Sequence, residues 1–112
     1  MMPSDPQARL IYEQLQKAIA RMALLSFRVN AETGYCVFFD IAGHVNSYNL
    51  QLAKNKEDYN ANLLEEDVDC VYDPEDGGDE TLFYTRALDK TEYLCTRLEK
   101  YLNEFSGGGR PV

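Results

Sequence analysis

The sequence predicts an α+β fold: a two-layer sandwich with an N-terminal and a C-terminal helix on a mostly antiparallel sheet of four to five strands. Three observations predict it. Apolar residues recur at three- and four-residue spacings near both ends of the chain. Through the middle they alternate with polar residues. Turn-forming residues separate the alternating runs.

The first helix begins at Ser4-Asp5-Pro6, a capping oxygen followed by a proline at the first helical position, where its missing N–H costs nothing. Ile11, Leu15, Ala18, Ile19, Met22 and Leu25 make its apolar stripe. Arg9, Glu13, Lys17 and Arg21 step along another face, with Glu13 and Lys17 in the favourable order for an i,i+4 pair. The pattern ends this helix near Leu24 or Leu25. A strand over Ser26–Asn30 and a tight turn over Ala31–Gly34 follow. Tyr35 to Ile41 carries bulky groups on both faces, which predicts a central, two-sided strand. After Ala42-Gly43 the chain returns from His44 to Leu52 with Tyr48, Leu50 and Leu52 on one face, completing a three-stranded meander.

Lys54 to Asn62 reads as a polar loop. In Leu63 to Tyr72, Val68, Cys70 and Tyr72 alternate with Asp67, Asp69 and Val71, a half-buried strand with an acidic outer face. Asp73 to Asp79 is a loop by its composition. Thr81 to Thr85 reads either as a short aromatic strand or as the first turn and a half of the next helix. That helix is expected from Asp89, with Glu92 in a capping-box position. Leu94, Leu98, Tyr101, Leu102 and Phe105 form its buried stripe, and Gly107-Gly108-Gly109 ends it. One domain over 1–106 with a flexible tail over 107–112 accounts for all 112 residues, since a second core would leave neither half enough apolar surface.

Composition narrows the function. With 45% hydrophobic and 27% charged residues the chain is of ordinary globular type. No apolar run approaches the ~18 residues of a membrane span, and the start lacks a basic-then-apolar leader pattern. Cys36, Cys70 and Cys95 are too far apart for a redox or zinc motif, and three thiols without close pairs fit a reducing cytoplasm. A net charge of −8 argues against direct nucleic-acid binding, because phosphate neutralisation supplies most of that affinity.

Specific chemistries find little support. His44 is the single histidine, so multi-histidine metal and catalytic sites are excluded by count. A small enzyme built on Cys36, His44 and Asp40 lacks any sign of an activated thiol, and no nucleophile-elbow pattern offers a serine instead. A calcium-loop frame starting at Asp73 places Tyr84 where a bidentate glutamate is required. Gly77-Gly78 lacks the Lys-Ser/Thr of a phosphate loop and lies among carboxylates. The expectation is therefore a protein without enzymatic activity, cofactor or metal.

The distribution of charge is the sharpest feature. From Glu57 to Glu80 there are eleven acids and no base: Glu57, Asp58, Glu65, Glu66, Asp67, Asp69, Asp73, Glu75, Asp76, Asp79 and Glu80. That segment carries −11 and the remainder +3. One reading is a solvated loop and edge strand protected by its charge. The other is a docking surface. Over a globule ~30–35 Å across, eleven carboxylates give one charge per ~3 Å, against one phosphate per ~3.4 Å along a DNA strand.

On the run Glu65-Glu66-Asp67-Val68-Asp69 through Asp73-Pro74-Glu75-Asp76-Gly77-Gly78-Asp79-Glu80, the chain resembles the small acidic DNA-mimic proteins of bacteria and phages. The resemblance implies a basic DNA-binding partner, such as an HU-type nucleoid protein, a repressor or a defence nuclease. The eleven acids are the expected partner-binding residues, with Tyr59 and Tyr72 adding apolar contact. An immunity or antitoxin-type inhibitor of a basic nuclease is the alternative from the same physics. A monomer or weak dimer is expected.

Overall fold

The computed structural model describes residues 3–42, 46–57 and 62–107, and side chains as far as Glu104. Helix α1 spans Pro6–Glu32. Asp5 caps it, its Oδ1 accepting from the Gln7 N–H at 3.2 Å, with Pro6 in the first turn as the sequence predicts. The helix runs a full two turns past its expected end. Leu15, Ala18, Met22, Leu25 and Val29 continue one buried stripe at three- and four-residue spacing, so the segment expected as a strand, Ser26–Asn30, is helical. Thr33 closes α1, giving both its N–H and its hydroxyl to the Val29 carbonyl. Lys56 reaches across to the carbonyls of Asn30 and Thr33, a cation where the helix leaves acceptors unpaired.

Strands β1 (Cys36–Ala42), β2 (Ser47–Ala53) and β3 (Asn62–Asp69) form an antiparallel sheet in the order β1-β2-β3. Three strands are therefore present among the described residues where four to five were expected. The central strand is β2, not β1, and Tyr48, Leu50 and Leu52 on its inner face are all at most 2% exposed. With Ser26–Asn30 helical, β1 has no strand on its far side. Instead the Asn30 side-chain amide bonds both the N–H and the C=O of Val37, at 2.7 and 2.8 Å, doing for one residue what a neighbouring strand would do. Residues 43–45, including His44, lie outside the described residues.

After β3 a 3-10 turn, η1 (Pro74–Asp76), leads into α2 (Glu80–Gly107). The aromatic segment Thr81–Thr85 is the start of this helix, so Asp89 is an exposed mid-helix residue and the expected capping box does not form. The physical reason is the same as for α1: Tyr84, Ala87, Leu88 and Thr91 extend the buried stripe of Leu94, Leu98 and Leu102 backward by two turns. Of the expected tail, Gly107 ends α2, and 108–112 lie outside the described residues. Both helices pack on the inner face of the sheet, joined into one core with Val37, Tyr48, Leu50, Leu52 and Val68. The Tyr48 hydroxyl meets Thr91 Oγ1 at 2.7 Å, while Thr91 gives its own proton to the Ala87 carbonyl at 2.8 Å. Two long helices side by side draw the molecule out to 50 × 26 × 18 Å, longer than the ~30–35 Å expected of a rounder chain.

Two outcomes test this account. Replacing Asn30 by Ala exposes the Val37 amide without a partner and is expected to cost about 1–3 kcal/mol in urea unfolding. Burial pushes the Tyr48 phenol from its ordinary 10.0 up to about 12, and the Cys70 thiol from 9.0 up to about 11. The unfolded chain releases these protons first, so stability is full below pH 9 and falls as pH rises toward 12. The melting temperature should decline over that window, and Tyr48→Phe should flatten its upper part.

Candidate functional site

The meander decides which carboxylates share a surface. In antiparallel register, Leu50 lies opposite Glu66 and Tyr48 opposite Val68, so Glu66 belongs to the helix side of the sheet. There its Oε1 meets Lys90 Nζ of α2 at 2.9 Å. Glu65, Asp67 and Asp69 alternate onto the outer face, opposite Gln51, Asn49 and Ser47, and all three are exposed. Asp40 of β1 joins them, because Asp40, Asn49 and Asp67 lie in one row across the sheet. Asn49 donates to Asp67 Oδ1 at 2.8 Å. Sequence reasoning missed Asp40 because it lies far from the acidic run. The strand alternation was visible, but only the pairing register puts it beside Asp67.

The loop carboxylates divide by task. Asp73 caps η1 through the Glu75 N–H at 2.9 Å, and Asp79 accepts from the Leu82 N–H at 3.2 Å in the first turn of α2. Glu80 accepts from the Asp5 backbone at 3.4 Å, and Thr81 donates to the Asp5 carboxylate at 2.9 Å, so the starts of the two helices are tied together. Glu75 and Asp76 are exposed and make no such side-chain contact among the described residues. Tyr72, expected to meet a partner, is half-buried: its hydroxyl donates to the Gly78 carbonyl at 2.7 Å and its ring packs edge-on to Phe83. Its N–H donates to the Tyr84 hydroxyl at 3.1 Å. These contacts hold the loop closed. Gly77 and Gly78 both have positive φ, which accounts for the pair of glycines there.

Between the end of β3, this loop and the first turns of α2 runs an open groove of about 510 Å³. Asp67, Asp69, Asp73, Asp76 and Asp79 line it, together with Leu82, Phe83, Arg86 and Lys90. The two bases belong to α2, and nothing in the acidic run signals that they face it.

Glu57 lies elsewhere. It follows Lys56, which is bonded to the C-terminal end of α1, whereas Asp5 and Glu80 mark its N-terminal end. A helix of 27 residues separates those ends by about 40 Å. The acids therefore form a band along the molecule, from Glu57 over β3 to the η1 loop, not one compact patch. Over the roughly 40 Å between its ends, the ten described acids average about one carboxylate per 4 Å, sparser than a DNA strand. Asp58 and Tyr59 lie outside the described residues.

Among the described residues, no three His, Cys, Asp or Glu side chains are grouped so as to hold a metal ion. Cys36 is half-buried on the outer face of β1, four residues before Asp40 on the same strand. Burial raises the thiols of Cys70 and Cys95, which disfavours their nucleophilic form. No helix among the described residues is long and apolar enough to cross a membrane.

The division of the loop is testable by denaturation. Asp79→Ala, which removes a helix cap, should cost about 1 kcal/mol, whereas Asp76→Ala should stay within about 0.5 kcal/mol or stabilise the protein. Comparison with protein-family models, with curated proteins and with solved structures finds no match to this chain.

Proposed function

We propose that the protein is a non-enzymatic binding protein of the reducing cytoplasm, a DNA mimic whose carboxylate band occupies the DNA-binding surface of a basic partner such as an HU-type nucleoid protein. One observation carries the reading. Among the described residues from Glu57 to Glu80, the only ion pair to a base is Glu66 with Lys90. Glu57, Glu65, Asp67, Asp69, Asp73, Glu75, Asp76 and Asp79 are exposed and form no ion pair among the described residues, with Arg86 and Lys90 the two bases that line the groove. Uncompensated carboxylates repel one another and weaken the folded state, a cost that a partner's lysines and arginines remove on binding.

Two properties support this use of the surface. Glu65, Asp67 and Asp69 are held at the two-residue repeat of a strand, about 7 Å apart, on a sheet face that carries no helix. The loop carboxylates continue the band around the groove, where Leu82 and Phe83 offer apolar contact beside the charge.

The test is competition. Labelled duplex bound to an HU-type nucleoid protein should be displaced by this protein, with displacement falling steeply between about 50 and 200 mM salt. The variant Glu65→Gln/Asp67→Asn/Asp69→Asn should compete at least about tenfold less well while melting no lower than the parent, since it relieves repulsion. Absence of displacement at about 50 mM salt, or equal competition by the neutralised variant, would refute the reading.

A further inference from the structure

A second surface lies on α1, on the side facing away from the core. Ala20, Leu24, Phe27 and Ala31 recur there at spacings of four, three and four, with Ala23 beside them, and all five are exposed. Leu24 is 59% and Phe27 68% exposed, Phe27 being the most exposed large apolar side chain among the described residues. Neither contributes to the core cluster. A solvent-facing helix side has no need of this repeat, which is the seam pattern of a helix that packs against another helix.

We infer that this face pairs with its equivalent on a second copy of the chain, the two α1 helices running antiparallel about a two-fold axis between Leu24 and Phe27. The repeat is self-complementary in that register. Leu24 meets Phe27 of the partner subunit and Ala20 meets Ala31 of the partner subunit, so large residues fill the centre and alanines let the backbones approach at the ends. Charge fits as well. Lys17, which has no ion pair among the described residues, comes within reach of Glu32 of the partner subunit, and the exchange occurs twice by symmetry. Arg21 and Arg28, the bases that flank the stripe, arrive already paired with Glu99 and Glu32 of their own chain.

The alternative edges of the molecule are guarded. A β3-to-β3 pairing would align Glu65, Glu66, Asp67 and Asp69 with their own copies, and Asn30 blocks β1 at Val37. Pairing through α1 instead keeps Glu65, Asp67 and Asp69 of β3 out of the seam, because α2, not α1, lies over β3. The seam from Ala20 to Ala31 is only about 16 Å long. A strip of that length and one helix diameter (~10 Å) wide covers on the order of 160 Å², well short of the ~800 Å² per partner of a standard interface, so the dimer is weak and concentration-dependent. This pairing stands apart from the DNA-mimic reading, since it uses none of the acidic residues.

Sedimentation from about 10 to 500 µM should show the mass rising from 12.8 kDa toward twice that value and no further. Phe27→Glu and Leu24→Glu should each weaken association at least about tenfold while keeping helical circular dichroism and melting temperature, because both side chains are exposed. Ala20→Cys together with Ala31→Cys should close a disulfide-linked dimer under mild oxidation, and Ala20→Cys alone should not, which separates antiparallel from parallel pairing. A constant mass of 12.8 kDa over the whole range would overturn the inference. So would association indifferent to both glutamate variants, or growth beyond two copies that added salt dissolves.

Discussion

Burial of Tyr48, Leu50 and Leu52 from β2 between two helices and two flanking strands is the interaction on which the other features depend. Because side chains of a strand alternate, placing these three inward forces Ser47, Asn49 and Gln51 outward. Pairing then carries the choice to both neighbours, turning Asp40 on β1 and Glu65, Asp67 and Asp69 on β3 away from the core. A slip of one residue would drive those carboxylates beneath the helices and expose Val68 and Leu64. The register is thus held by the core, and the position of the surface charge follows from it. The hydrogen bond from Tyr48 to Thr91, relayed to the Ala87 carbonyl, links the same strand to α2 at depth.

The length of the helices explains both the shape and the treatment of the sheet's edges. Three strands cannot cover helices of 27 and 28 residues, so much of the apolar contact is made between α1 and α2 themselves. α1 overlies the β1 side, where Asn30 satisfies Val37 in place of a fourth strand. α2 overlies the β3 side, where Lys90 reaches Glu66. One edge is closed by a side-chain amide and the other by charge, two different answers to the same exposure of unpaired backbone.

The two poles of the surface have different physics. Along β3 and the η1 loop, carboxylates outnumber the protein's own cations, so the field there is negative and screened by salt. On the outer side of α1 the exposed groups are apolar and the nearby bases are paired, so interaction there depends on burial. Some carboxylates of the acidic run also serve the fold. Asp73 and Asp79 cap helices, Glu80 meets the start of α1, and Glu66 is neutralised by Lys90.

By itself the sequence determined the α+β class, the helix start at Asp5-Pro6, the inner face of β2 and the segregation of −11 onto one stretch. Each follows from local chemistry or from a short repeat, and both are complete within a few neighbouring residues. Tertiary structure decided the rest. Ser26–Asn30 and Thr81–Thr85 carry β-forming residues, yet both are helical because Val29 and Tyr84 extend stripes that the opposite helix and the sheet bury. It likewise decided that β1 is an edge, that Asp40 joins Asp67, that Glu66 does not, and that Glu57 lies about 40 Å from Glu80. These are relations between segments far apart in the chain, and periodicity within one segment carries no information about which partner it will meet.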